Sequence, residues 1–474
     1  MGTDQLRVPL QISFLVTKSF SPGKKSTCVA VVEVSKFTLS RSKYSQKQQQ
    51  QEQRGFCSLG MRPPRSARKE QRGAAHLRRR HLQALELRPT RWPLYSQKPL
   101  ILAWNAPTED CAPRHGVRFE LDLFQIVASP NEAFFRQNLT IFYKDRLGLY
   151  PYFEEDKSPV NGGLPQVASL RRHLDKMPDV VEKYIREKNA IGLAVIDWEE
   201  WRPLWIRNWD TKDIYRKHSK DLVRQKNPTW PEEQEDFGEL TGRCPDVEVS
   251  RNEQLKWLWE ESTALFPSVY MATVLKSSRS GQQFVRNRVK EGMRLALSGE
   301  KLARPVFVYA RPTYINSLEP LTETDLVSTI GESVALGAAG IILWGDVAYA
   351  SSKTSCSELK AYLQDPLSKY LLNVSRAAEL CSQELCGSNG RCLRRNPDAD
   401  VYLHLSPLTH TITRNQNGRL TVTGELDEAE KSRFEMDFQC QCYSGFQGET
   451  WFNAEMMACF TPDALPDFRF VPAQ

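Results

Sequence analysis

The run Gly192-Leu193-Ala194-Val195-Ile196-Asp197-Trp198-Glu199-Glu200-Trp201-Arg202-Pro203 limits what this chain can fold into more than any other stretch. Its first part is apolar at every position, which suits a strand covered on both faces, as in a parallel sheet. It ends in three carboxylates, two tryptophans and an arginine. Strand side chains alternate, so Asp197 and Glu199 share one face and Glu200 takes the other. In an α/β barrel the C-terminal ends of the strands carry the catalytic groups. Two carboxylates placed together there resist ionising at once, which favours one of them holding a proton as a general acid. The plainer alternative is a strand that runs into a charged, solvated loop.

Strands and helices alternate around this run. Leu100–Trp104 and Thr140–Tyr143 read as strands, and residues 166–188 as a helix with an apolar stripe at Leu170, Leu174, Met177, Val180, Val181 and Tyr184. Residues 210–225 read as a further helix, and another starts at Asn252. Residues 265–270 read as a strand that presents Ser268 and Tyr270 on one face. A helix over 281–298 then sets Arg288 on its surface or back toward a cleft. Strand 305–310, helix 322–336 and strand 341–346, which closes on Trp344, continue the alternation, and a helix is expected over 356–372. This order, with no Gly-x-Gly-x-x-Gly loop, favours an α/β barrel over an open nucleotide-binding sheet. Residues 226–243 break it: they are polar, with two prolines and two glycines and no strand signal. Strand-like runs return at Val401–Leu405 and Leu420–Thr423.

At 474 residues the chain can hold a barrel and a small module. Residues 1–98 carry 20 Lys+Arg against 5 Asp+Glu, a net of +15; the rest is therefore net −8, and the whole +7. The basic excess belongs to that leader, so it does not mark the remainder as a nucleic-acid binder. With its glutamine run and Arg78-Arg79-Arg80, the leader reads as basic and disordered, apart from a stray strand near 28–34. Of eleven cysteines, five fall within 381–442, a density that suggests disulfides in an oxidising compartment. No Cys-x-x-Cys pair points to zinc, and no metal or cofactor is expected. Asn138 and Asn373 head glycosylation sequons. Residues 8–17 lack the basic lead and cleavage site of a signal peptide, and no run of about eighteen apolar residues predicts a membrane span. The end of the chain lacks the hydrophobic tail of a lipid-anchor signal.

The stretches GLAVIDWEEWRP, NWDTKDIYR, ALFPSVY, FVRNRV, STIGESVALGAAGIILWGD, CSQELCGSNGRC and CQCYSGF, in order through most of 99–448, resemble the animal hyaluronidases. These are glycoside hydrolases with a distorted TIM-like (β/α) barrel and an EGF-like module. The resemblance implies a barrel over 99–375, an EGF-like cysteine-rich module with an insertion over 376–459, and a tail at 460–474. It also implies that one βα unit is missing at 226–243. That segment carries, in the family, a cleft tyrosine, an aspartate and a cysteine suited to Cys244.

The implied activity is endo-hydrolysis of β-1,4 bonds of hyaluronan, with retention and with the substrate's own acetamido oxygen as nucleophile, an exception to the two-carboxylate pattern. Glu199 matches the proton donor, Asp197 the group that orients the acetamido nitrogen, and Tyr270 the hydroxyl that helps position it. Tyr143, Arg288 and Trp344 match substrate-cleft residues. An arginine fork suits the glucuronate carboxylate. The implied disulfides are Cys111–Cys356, Cys381–Cys392 and Cys386–Cys440, with Cys459 as a displaced partner for Cys442; Cys28 and Cys57 match nothing. The implied partners are hyaluronan and, as a second polysaccharide, chondroitin, acting on a monomer in the secretory pathway, at the cell surface or in the lysosome. The alternative is a catalytically impaired variant that only binds hyaluronan or a cell-surface partner.

Overall fold

Parallel pairing dominates the computed structural model, which describes residues 11–15, 87–129, 137–185, 190–198, 200–204, 207–226, 246–299, 302–448 and 459–460. Ser35–Leu87 separate as a unit of their own, of which only Leu87 is described. Strands β2 (Ile101–Asn105), β3 (Ile126–Val127), β6 (Phe307–Ala310) and β7 (Gly340–Trp344) form one parallel sheet in the order β3-β2-β7-β6. The segment 265–269 extends it past β6: Phe307 N donates to Leu265 O at 2.8 Å, and Val269 N to Tyr309 O at 2.8 Å. A second parallel sheet holds β1 (Gln11–Leu15), β4 (Leu139–Phe142) and β5 (Leu193–Asp197), with β5 in the centre.

Alternation divides every one of the long core strands into two faces. Ile101, Ala103, Ile141, Leu193, Val195, Phe266, Phe307, Tyr309 and Ile342 share one inner core that joins both sheets. Their neighbours face outward: Leu102, Trp104, Val308 and Leu343 pack with Val285 and Val289 of helix α3 (Arg279–Ala296), and Phe142, Ala194 and Ile196 pack with Met177 and Tyr184 of helix α1 (Leu170–Tyr184). This two-sided burial is what an all-apolar strand requires. Leu170 and Leu174, expected in the buried stripe of α1, stay 42% and 38% exposed.

The sequence expectations differ from the structure in three local places. Helix 356–372 is two helices, α4 (Lys353–Tyr362) and α5 (Ser368–Cys386), because Asp365 before Pro366 is extended (φ −163, ψ 119). Residues 401–405 pair with no strand, whereas Leu420–Gly424 pairs antiparallel with His410–Arg414. Residues 88–98, which the sequence groups with the leader, belong to the body: Thr90 is fully buried and its N donates to Cys442 O at 2.8 Å.

Further back in that leader, β1 pairs with all of β5, from Gln11 beside Leu193 to Leu15 beside Asp197. An unpaired edge of β5 would leave a row of backbone donors and acceptors unsatisfied, and an extended segment from anywhere in the chain can meet them. Residues 227–245, the bulk of the polar break, lie outside the described residues, as do 28–34 and Cys28, Cys57 and Cys244. Deleting residues 1–16 is expected to lower the thermal midpoint of the chain by several degrees; an unchanged midpoint would show that β1 adds nothing to the sheet.

Four disulfides close as expected: Cys111–Cys356, Cys381–Cys392, Cys386–Cys440 and Cys442–Cys459. Three of them gather the C-terminal module, where β8 (Gly390–Arg394) pairs antiparallel with β9 (Phe438–Cys442). One carboxylate locks this module to the body. Glu332, fully buried, accepts from Arg286 of α3 (Nε to Oε1 2.8 Å, Nη2 to Oε2 2.9 Å) and from Arg394 of β8. Asp400 completes the charge balance on Arg286 at 2.6 Å. Removing the central acid strands two buried guanidinium groups, so Glu332→Ala is expected to cost about 3–5 kcal/mol of stability in denaturant unfolding. A loss under about 1 kcal/mol would mean that water replaces the carboxylate there.

Candidate active site

Leu193 and Val195 belong to the inner core, so Asp197, two steps further on β5, takes the same inward side at the C-terminal end of the strand. It is buried, at 7% exposure. Phe142 pairs with Ile196, which places the next residue, Tyr143, across from Asp197. Tyr270 and Trp344 pack against the same inner core from the ends of their own segments, so the structure brings Asp197, Tyr143, Tyr270 and Trp344 into one region. Glu199 lies outside the described residues.

At the centre sits Tyr309, which sequence reasoning missed. It is fully buried, meets Trp344 edge to face (centroids 6.3 Å, 70°), and its hydroxyl donates to Asn105 Oδ1 at 3.4 Å. Asn105 is in turn fixed through Nδ2 to Ala128 O at 3.1 Å. Burial pushes the Tyr309 hydroxyl well above its ordinary value, and Tyr270, Tyr143 and Asp197 add their negative potential to it. It therefore stays a neutral donor at any ordinary pH. The one sequence signal that bears on it is the alternation of Phe307 and Tyr309 along an apolar strand, which puts both on one face.

Arg288 reaches this region from α3. It lies buried on α3, with Nε donating to Ser268 O at 2.6 Å and Nη2 to Ser268 Oγ at 3.4 Å, and so braces the backbone two residues before Tyr270. Of the sequon residues, Asn138 is exposed just before β4, whereas Asn373 is part of α5 and its Oδ1 accepts from Leu405 N at 3.1 Å. Among the described residues no group of three His, Cys, Asp or Glu side chains is arranged to hold a metal ion, and no helix is long and apolar enough to cross a membrane.

The loop after β5 is held firmly. Trp201 stacks on Tyr150 (5.8 Å, 20°), meets Trp198 edge to face at 4.8 Å, and donates through Nε1 to Pro151 O at 3.2 Å. Asn208 clasps Arg202 from both sides, accepting from its N at 2.6 Å and donating to its O at 2.9 Å. Glu200 turns away from the inner face, as alternation requires, and meets Lys144 at 3.1 Å, Lys212 at 3.5 Å and the Tyr215 hydroxyl at 3.1 Å. Burial opposes its charge, but Lys212 and Lys144 prevail and hold its carboxyl below the usual 4.5. A depressed carboxyl contributes stability above its unfolded pKa and loses it as pH falls through the folded value. Glu200→Gln is therefore expected to be less stable than the parent at pH 7, with the gap closing below about pH 4.5. A gap independent of pH in thermal melts would remove the ion pairs from the explanation.

With this geometry in hand, known proteins bear on it. A family model described as hyaluronidase matches residues 89–239 and 234–455. Hyaluronidase-2 of Rattus norvegicus is 44% identical over 417 residues, covering 77% of this chain and 88% of that one. Hyaluronidase-2 of Homo sapiens matches to the same extent. Hyaluronidase-1 of Bitis arietans is 39% identical over 411 residues, covering 76% of this chain and 92% of its own. Among solved structures, bee venom hyaluronidase in complex with a hyaluronic acid tetramer aligns with a TM-score of 0.50 at 25% identity, over 57% of this chain and 98% of that one. The stretches TGRCPDVEV and WGD make the sequence resemble hyaluronidase-2 in particular, and relatives of that name are among those matched.

Proposed function

The chain belongs to the hyaluronidase family and is a glycoside hydrolase, and from that premise we propose that it cleaves the β-1,4 bonds of hyaluronan with retention of configuration. The observation that carries the proposal is the buried Asp197 at the inward end of β5, beside Tyr143 and in the field of Tyr309 and Tyr270. A buried carboxylate held there among hydroxyl groups has a task if an amide N–H must be oriented.

In this mechanism Glu199 gives its proton to the bridging oxygen as the bond from that oxygen to C1 breaks. The acetamido oxygen of the same sugar attacks C1 from the opposite face, and Asp197 accepts a hydrogen bond from the acetamido nitrogen as positive charge builds on it. Tyr270 donates to the acetamido group and fixes its angle. Water then opens the ring intermediate, giving a proton back to Glu199, so two inversions leave the configuration unchanged. Trp344 supplies a flat apolar floor for a sugar ring, and Tyr143 a second contact. The support for a TIM-like barrel is the shared inner core of the two parallel sheets, together with the likeness to the bee venom enzyme. Antiparallel β8 and β9 with three disulfides support the EGF-like reading of the C-terminal module. The disulfides also favour an oxidising compartment: the secretory route, the cell surface or the lysosome.

A second reading, hyaluronan binding without turnover, is favoured by the polar residues 226–243, which carry no strand signal at the point where a βα unit is expected. Reducing-end release from hyaluronan separates the two readings. Glu199→Gln is expected to lower kcat by about 10²- to 10⁴-fold, the usual worth of a positioned general acid, while hyaluronan binding is retained. Equal rates in parent and variant would remove Glu199 from the chemistry, and a parent that binds without releasing ends would favour the second reading.

A further inference from the structure

Arg311 immediately follows β6, in step with the inward positions Phe307 and Tyr309. Register places it in the ring of strand-end residues already described. Ala310 pairs with Leu343, so Arg311 stands beside Trp344. The bridge from Ser268 to Tyr309 puts Tyr270 on its other side. Arg311 thus lies between two residues of the candidate site, just past the C-terminal end of β6.

Its chemistry is unusual for a core position. The side chain is 9% exposed. Nη2 donates to Asp346 Oδ2 at 3.0 Å, and the guanidinium lies over the Tyr349 ring at 5.9 Å. Asp346 is itself held by Ala348 N at 2.8 Å. Gly345 permits this packing, because a Cβ there would fall 2.4 Å from the Tyr349 ring. The guanidinium is therefore fixed on one side and oriented, yet its Nε is buried with no acceptor among the described residues. A buried donor left unmet beside candidate-site residues points to an acceptor that arrives with a ligand.

We propose that Arg311 binds the uronate carboxylate of the substrate and is the residue that selects an acidic sugar over a neutral one at this position. The inference rests on the hydrolase reading above and deepens it. Arg288, the arginine the sequence singles out for that role, gives its Nε to Ser268 O. In Arg311, Asp346 and Tyr349 hold the plane of the fork, and the Nε–H meets a carboxylate oxygen. The Asp346 charge offsets part of the attraction, so the preference is one of geometry more than of net charge.

The test uses full-length chain carrying Glu199→Gln, so that binding is read without turnover. Hyaluronan oligosaccharides and the same oligosaccharides with their carboxyl groups reduced to alcohols are titrated by calorimetry. The Glu199→Gln protein is expected to bind the acidic form more tightly by roughly 10- to 100-fold, the usual worth of a charged hydrogen bond. Adding Arg311→Ala is expected to abolish that preference while leaving affinity for the reduced form within about twofold. Adding Arg311→Lys, which keeps the charge and loses the fork, is expected to restore only part of it. Equal losses on both ligands, or a preference that survives Arg311→Ala, would overturn the proposal. Thermal melts of each variant separate a folding defect from a loss of selectivity. The hydrolase reading stands or falls separately, on reducing-end release by the parent chain.

Discussion

The parallel register around β5 is the constraint on which the rest of this structure depends. Because strand side chains alternate, a slip of one residue would send Asp197 out toward α1 and bring Ile196 to the inner face. The register is set at the start of the strand. A Cβ on Gly192 would sit 2.2 Å from the Asn138 carbonyl oxygen, so β4 and β5 approach there only because residue 192 is glycine. Leu193 N then donates to Asn138 O at 2.8 Å and fixes the pairing that carries Tyr143 across from Asp197. Apolar burial on both faces makes any other register costly.

Around that frame the candidate site is built from residues whose backbones are pinned elsewhere. Arg288 braces Ser268 and with it Tyr270; Trp201 and Asn208 hold the loop that follows β5; Tyr309 and Asn105 floor the centre. The fixed positions matter to the proposed reaction because orientation, more than contact alone, is what substrate assistance demands. The C-terminal module is attached by a buried Glu332 between two arginines and by cystines within it. It therefore shares the rigidity of the body through α3 and β8.

Much of this was legible in the sequence, and for identifiable reasons. The apolar run before Asp197, the faces of Ser268 and Tyr270, the opposite face of Glu200 and the positions of α3, β6 and β7 all follow from period-two or helical spacing. The disulfide pairs followed from the family resemblance, with Cys459 accepted at a displaced position. What escaped was non-local. Nothing in Gln11–Leu15 announces that it will pair with a strand nearly two hundred positions later, because edge pairing is decided by backbone groups and not by side-chain pattern. Tyr309 and Arg311 were hidden for a different reason: an aromatic and a charged residue near a strand end acquire meaning only when the register of neighbouring strands is known. Asp365 divided an expected helix because the residue before a proline avoids helical geometry, a signal that was present in the sequence and outweighed by the apolar periodicity.

In the proposed reaction Asp197 orients the substrate's own acetamido group as nucleophile, with Glu199 as acid and then base. The anomeric configuration of the newly released reducing end tests this most directly, followed by proton NMR in the first minutes of hyaluronan cleavage, before mutarotation. With that mechanism the β-anomer is expected to form first, and the α-anomer to grow in only as mutarotation proceeds. Initial formation of the α-anomer would mean direct attack by water, and would contradict the role given to Asp197.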